Sequence, residues 1–190
     1  MPYRPTFLNV CDLCMGYLIA HDKMKGYKKC VTCGKTTFTG GMMIDWNDPK
    51  AMLSKHFTVG EATYLPKLKM YYKPNEVEKE NILKLATKLD IVRDFIAKPF
   101  NVNIWIRPVV TKADGTVVDY NALIGGAKNS AHKVGSAVDF NITGMTAQEF
   151  RDKVGETKLE EWKLRCEDGV SWVHLDQNPV GASGNLIFKP

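Results

Sequence analysis

An α+β domain is the fold class this chain predicts: a small, mostly antiparallel sheet with helices on one side over residues 52–190, preceded by a zinc-ribbon module at residues 1–45. Three observations predict it. Both CxxC pairs, Cys11/Cys14 and Cys30/Cys33, fall within the first 45 residues. An apolar stripe at helical spacing runs between Pro74 and Pro99. The β-branched and alternating runs follow it, so helices precede strands rather than interleave with them.

The elements follow in order. Two CxxC pairs at this separation read as a zinc site rather than a disulfide framework. Four thiolates hold zinc tetrahedrally, and so short a segment has too little core to fold without such a staple. Gly34 suits the knuckle after the second pair. His21 lies between the pairs and reads as a surface residue, because four better ligands are present. Gly40-Gly41 and Trp46-Asn47-Asp48-Pro49 mark a linker. Thr58-Val59-Gly60-Glu61 has the form of a capping box and opens a short helix. Pro74-Asn75 precedes a long helix to about Lys98, with Ile82, Leu85, Ala86, Leu89, Val92 and Ile96 on one buried face and Pro99 as its stop. Residues 101–106 form a first strand, and Asp114-Gly115 a turn. Residues 137–142 form a second strand. Thr146-Ala147-Gln148-Glu149 caps a helix to about Val154. Residues 171–175 and 185–188 complete the sheet.

Bulk composition excludes several classes. With 190 residues, 44% of them apolar, the chain holds one ordinary domain and a small appendage. No apolar run approaches the roughly 18 residues of a membrane span. Met1-Pro2-Tyr3-Arg4-Pro5 lacks the basic-then-apolar pattern of a signal peptide, so the protein is expected in a cytoplasm or exported by another route. The net charge of +5 is mild. Lysine-rich stretches such as Lys23–Lys29 suit an anionic partner, a cell-wall polymer ahead of nucleic acid, or else a solvated face. Nucleic acid is not an expected partner.

The chemistry sits in Ser130-Ala131-His132-Lys133-Val134-Gly135-Ser136-Ala137-Val138-Asp139 and in Trp172-Val173-His174-Leu175-Asp176. His132, Asp139 and His174 make a three-ligand set, and catalytic zinc keeps three protein ligands with a fourth position for water. Asp139 lies between Val138 and Phe140, where a carboxylate is costly unless it is paired or bound to metal. Gly135 lets the chain bend so that a loop imidazole meets a strand carboxylate. Cys166 stands alone and reads as a buried small hydrophobe.

The pattern S-x-H-x-x-G-x-A-x-D followed by W-x-H-x-D resembles the zinc D-Ala-D-Ala carboxypeptidase family, which includes VanX-type dipeptidases, bacteriophage peptidoglycan endopeptidases and Hedgehog-type domains. Leu53–Thr58, Arg107-Pro108 and Tyr120–Gly126 extend the likeness, which covers roughly residues 52–178 and leaves out the ribbon. The resemblance implies a zinc peptidase acting on peptidoglycan, with His132, Asp139 and His174 as ligands. It implies two zinc ions per chain once the Cys11, Cys14, Cys30 and Cys33 site is added. Arg107 then holds a peptide carboxylate or polarises the scissile carbonyl, or else forms a surface salt bridge. Ser130 binds substrate or caps the turn. Many members place an acid three residues before the last histidine, where this chain has Ser171. Glu167, Asp168 and Asp176 stand as alternative general bases, with Asp176 also suited to orienting His174. A phage origin follows from the likeness, by either of two routes: a lytic enzyme held in the host cytoplasm, or a wall hydrolase on the virion tail with the ribbon docking a tail or baseplate protein. The alternative is a non-catalytic virion structural or binding protein on a peptidase scaffold.

Overall fold

The structure is a computed structural model that describes residues 18–20, 27–30, 36–38, 44–180 and 184–189. The chain divides into two compact units, Met1–Asp45 and Trp46–Pro190. In the first, β1 (Leu18–Ala20), β2 (Tyr27–Cys30) and β3 (Thr36–Phe38) form an antiparallel sheet in the order β1-β2-β3. Cys11, Cys14, Cys33, His21 and Gly34 lie outside the described residues, and with them the expected ribbon site.

In the second unit, α1 (Val59–Thr63) begins at the Thr58–Glu61 capping box. The hairpin strands β4 (Tyr64–Leu65) and β5 (Met70–Tyr71) follow. Helix α2 (Glu76–Ile96) is capped by Asn75 and stopped by left-handed Ala97 ahead of Pro99. It buries Ile82, Leu85, Ala86, Leu89, Val92 and Ile96, the stripe its spacing predicts. Next come β6 (Phe100–Ile104), the hairpin β7 (Val109–Thr111) and β8 (Val117–Asp119), and α3 (Tyr120–Leu123). Strand β9 (Ala137–Ile142), helix α4 (Ala147–Trp162), β10 (Arg165–Glu167), β11 (Val173–Asp176) and β12 (Ile187–Phe188) close the domain. The main sheet runs β12-β10-β11-β9-β6, antiparallel except where β12 joins β10. The class is α+β, as expected. Among the described residues no helix is long and apolar enough to cross a membrane.

Side-chain alternation divides the sheet into two faces. Val138, Phe140 and Ile142 of β9 point one way, and Phe140 meets Phe150 of α4 edge-on at 6.1 Å and Phe100 of β6 in a stack at 4.4 Å. That face is core. Ala137 and Asp139 of β9, His174 and Asp176 of β11, and Arg165 and Glu167 of β10 point the other way.

Some boundaries differ from the expectation. The 101–106 strand starts at Phe100 and stops at Ile104, because its pairing with β9 shifts register between Val102 and Ile104. Trp105 and Ile106 leave the ladder to be buried. Strand β11 is displaced to Val173–Asp176. Helix α4 breaks at Gly155, φ 59° and ψ 176°, just after the expected end at Val154, and then resumes to Trp162. Strand β10 was not foreseen, since Arg-Cys-Glu is short and carries charge on two of its three residues.

Gly135 holds the approach to β9. Its φ is +74°, and a Cβ there meets Ile82 Cγ1 of α2 at 2.8 Å. Gly135→Ala is therefore expected to cost about 1–3 kcal/mol, from left-handed strain plus forced movement of Ile82. Chemical denaturation measures it; an unchanged midpoint contradicts the packing.

Candidate metal centre

Register builds the site. His174 of β11 lies opposite Asp139 of β9, and Arg165 of β10 lies opposite Asp176 of β11. Glu167, two residues along β10 from Arg165, therefore falls beside His174 on the same face. His132 arrives from a 3-10 turn over Ala131–Val134 that ends at Gly135. Its Nδ1 donates to the Trp105 carbonyl at 2.8 Å, and its own carbonyl accepts from Arg107 N at 2.9 Å. The residues released from β6 by the register shift thus anchor the loop ligand.

Three donor atoms converge. His132 Nε2 lies 3.2 Å from Asp139 Oδ1 and 3.2 Å from His174 Nδ1, and His174 Nδ1 lies 2.7 Å from Asp139 Oδ1. Tetrahedral zinc with ligands at about 2.0–2.1 Å sets its donors about 3.3 Å apart. The triangle fits that ion, with two sides at the expected length and one somewhat short. The outward nitrogens are occupied as a metal-binding pair requires: His132 Nδ1 by a carbonyl, and His174 Nε2 by Asp176 Oδ2 at 3.4 Å. All three candidate ligands are buried. They open onto a cleft of about 350 Å³ that Arg107, Ser130, Glu167, Trp172 and Phe188 also line. A larger cleft, of about 630 Å³, lies around Tyr64 and Tyr71 without any of these donors, so chemistry rather than size identifies the site.

The electrostatics agree with the geometry. Burial pushes the Asp139 carboxyl up, but hydrogen bonds and charge from His132 and His174 outweigh it and hold the group well below the carboxylate range. Burial pushes His132 down. Burial also opposes charge on His174, yet Asp139 and Asp176 raise it to about 9. Burial moves Glu167 up, and the Asp139 charge adds to that.

The remaining sequence-predicted residues are placed as follows. Arg107 Nη2 bonds Asp139 Oδ2, and its Nε is buried without a partner. Arg107 is therefore no surface salt bridge. Ser130 precedes the 3-10 turn but its side chain makes no capping bond. Glu167 Oε2 lies 3.9 Å from His174 Nδ1. Asp168 turns to Arg151 at 3.5 Å and does not line the cleft. Asp176 is buried and gripped at both oxygens by Arg165. Ser171 is exposed. Cys166 is buried, with its thiol pushed up to about 12 by burial, as a structural cysteine should be. Sequence reasoning missed Arg165 and Phe188 and gave Trp172 no role beyond its place in the motif; β10 is too short and too charged to mark Arg165 as sharing a face with Glu167.

Residues 72–176, more than half of the chain, match the sequence profile of a family described as Peptidase M15. No curated protein and no solved structure matches the chain.

In the metal-free protein His174 holds a proton at neutral pH, because its pKa stands near 9 rather than 6.5. Its contribution to stability is complete below about pH 6.5 and lost as pH rises through 9. Zinc must displace that proton and none from His132, which burial keeps neutral. Calorimetry at about pH 6, below the ionisation of a zinc-bound water, in buffers of different ionisation enthalpy is expected to show about one proton released per zinc bound at this site. Apparent affinity should fall about tenfold per pH unit below 9. Release of two protons, or of none, contradicts this assignment.

Proposed function

We infer that this chain, which belongs to the peptidase M15 family, is a zinc peptidase that hydrolyses the stem peptides of bacterial peptidoglycan. The observation that carries the reading is the His132–Asp139–His174 triangle of donors at the floor of an open cleft. When bound there, zinc acidifies a water and polarises the scissile carbonyl.

The chain's own residues supply the rest. Glu167 takes a proton at Oε2 from the attacking water and delivers it to the leaving amine. Its raised pKa and its place on the cleft wall support that role. Asp168 and Asp176 are engaged by arginines instead. Arg107 grips the metal-ligating carboxylate and faces the cleft, where its planar guanidinium also suits the substrate's carbonyl or carboxylate. Ser130 offers a hydroxyl to the peptide at the same wall.

Four further assignments belong to this reading. The Cys11, Cys14, Cys30 and Cys33 set holds a second, structural zinc. The protein is phage-encoded and reaches the wall either after host lysis or on the virion tail. The unit formed by Met1–Asp45 docks the wall or a tail protein. The enzyme works outside any membrane.

Purified cell walls with free-amine detection test the activity. Glu167→Gln is expected to lower kcat by at least about 10²-fold with zinc retained, the range of a lost general base. Asp168→Asn should lower it less than tenfold. Wall cleavage that survives Glu167→Gln removes Glu167 from the mechanism. A zinc-loaded wild type that cleaves no wall favours a non-catalytic virion protein, the reading that Ser171 prompts. Metal analysis should give two zinc per chain, falling to one in His174→Ala and to one in Cys30→Ala.

A further inference from the structure

We propose that Arg165 and Phe188 are positioning residues for the metal centre: with Asp176 they fix the His174 ring so that Nδ1 faces His132 and Asp139. The inference rests on the zinc reading above and concerns residues on its outer side.

The four side chains close a circuit. Arg165 Nε donates to Asp176 Oδ1 and Arg165 Nη2 to Asp176 Oδ2, each at 2.9 Å. Asp176 Oδ1 also accepts from Asn178 N at 2.9 Å. Oδ2 is left facing His174 Nε2 at 3.4 Å. Phe188 lies under the Arg165 guanidinium at 4.6 Å and meets the His174 ring edge-on at 6.1 Å. Register puts these groups in place: Arg165 is opposite Asp176, and Phe188 is beside Glu167.

Each contact answers a physical need. Asp176 is 2% exposed, and a carboxylate that deep costs several kcal/mol unless it is paired. The planar fork of arginine gives each oxygen its own N–H in a fixed geometry. The pairing aims one carboxylate oxygen at the imidazole N–H, so His174 turns Nδ1 and not a ring carbon toward the other donors. Phe188 stacks on the guanidinium and borders the imidazole, which limits turning of both. The final strand of the sheet is two residues long, and one of them is spent on this clamp.

The test uses the full chain, stripped of metal and titrated with zinc against a competing chelator. Occupancy is read at the His174 ring signals by nitrogen-resolved NMR, which separates this site from any other zinc. Arg165→Met is expected to weaken zinc about 10–100-fold, the usual effect of removing a partner behind a metal ligand. It should also speed exchange of the His174 Nε2 proton in the zinc-loaded protein. Arg165→Lys should recover only part of the affinity, and Phe188→Leu should show a smaller loss with the same faster exchange. Wild-type affinity and wild-type exchange in Arg165→Met and Phe188→Leu, with only the melting temperature lowered, overturn the inference and leave the zinc reading intact. If Arg165→Met does not fold, Phe188→Leu and Arg165→Lys decide on the same two readouts. A wild type whose His174 signals do not respond to zinc overturns the zinc reading and this inference together.

Discussion

A carboxylate at the centre of a sheet is the constraint on which the rest of this domain depends. Asp139 is 4% exposed, flanked along β9 by two core side chains. Left alone, such a charge costs several kcal/mol, a large share of the 5–15 kcal/mol by which a domain is stable. Three side chains offset that cost: His132 and His174 on Oδ1, and Arg107 on Oδ2. Those same partners leave one carboxylate oxygen and two imidazole nitrogens at mutual hydrogen-bond distance. Two nitrogen lone pairs and an anionic oxygen repel one another unless a proton or a cation sits among them, and the triangle has the dimensions of a zinc ion's ligands.

The sheet makes this arrangement tolerable by dividing its labour between faces. Alternation gives β9 and β11 one apolar side each, and the Phe100 ring stacked on Phe140, with Phe150 edge-on to it, shows where that side is packed. Only the opposite side is free to hold charge. There the antiparallel register sets polar residues in rows across the strands, Glu167 beside His174 and Asp139, and Arg165 beside Asp176. A one-residue slip of β11 would turn both His174 and Asp176 into the core and Leu175 out of it, so the hydrophobic pattern that fixes the register also fixes the site. The remaining ligand comes from a turn, and the left-handed Gly135 seated on Ile82 gives that turn its end point.

Much of this was legible because it rests on local rules. The stripe of α2, the capping boxes at Thr58 and Thr146, and the stop at Pro99 are all written in residues close to one another. The convergence of His132, Asp139 and His174 was legible for a different reason: Asp139 and His174 are polar groups inside apolar strands, which need an explanation, and one shared ion would cover both together with His132 from the turn before β9. What escaped depends on pairing between distant segments. Strand β10 has no pattern of its own and exists because β11 and β12 flank it. The bulge that frees Trp105 to receive His132, and the contact that brings Phe188 to Arg165, likewise join parts of the chain that no window of neighbours contains.

Ser171 shows how far a spacing rule reaches. The spacing expected from the family resemblance puts an acid three residues ahead of the last histidine. Here that position is exposed and bears a hydroxyl. The neighbouring strand β10 instead carries a carboxylate at the level of His174, with Glu167 Oε2 3.9 Å from the ligand nitrogen. In a sheet, adjacent strands are about 4.8 Å apart, so a side chain one strand over is as near as one a few residues back along the chain. Proton transfer requires a carboxylate at hydrogen-bond range of the reacting water, whatever its place in the sequence. An acid supplied across the ladder meets that requirement as well as one supplied along the chain. On the proposed mechanism the base would then lie on β10, the strand that also carries Arg165, so a single three-residue element holds both the carboxylate beside the candidate donors and the arginine paired with Asp176 behind His174.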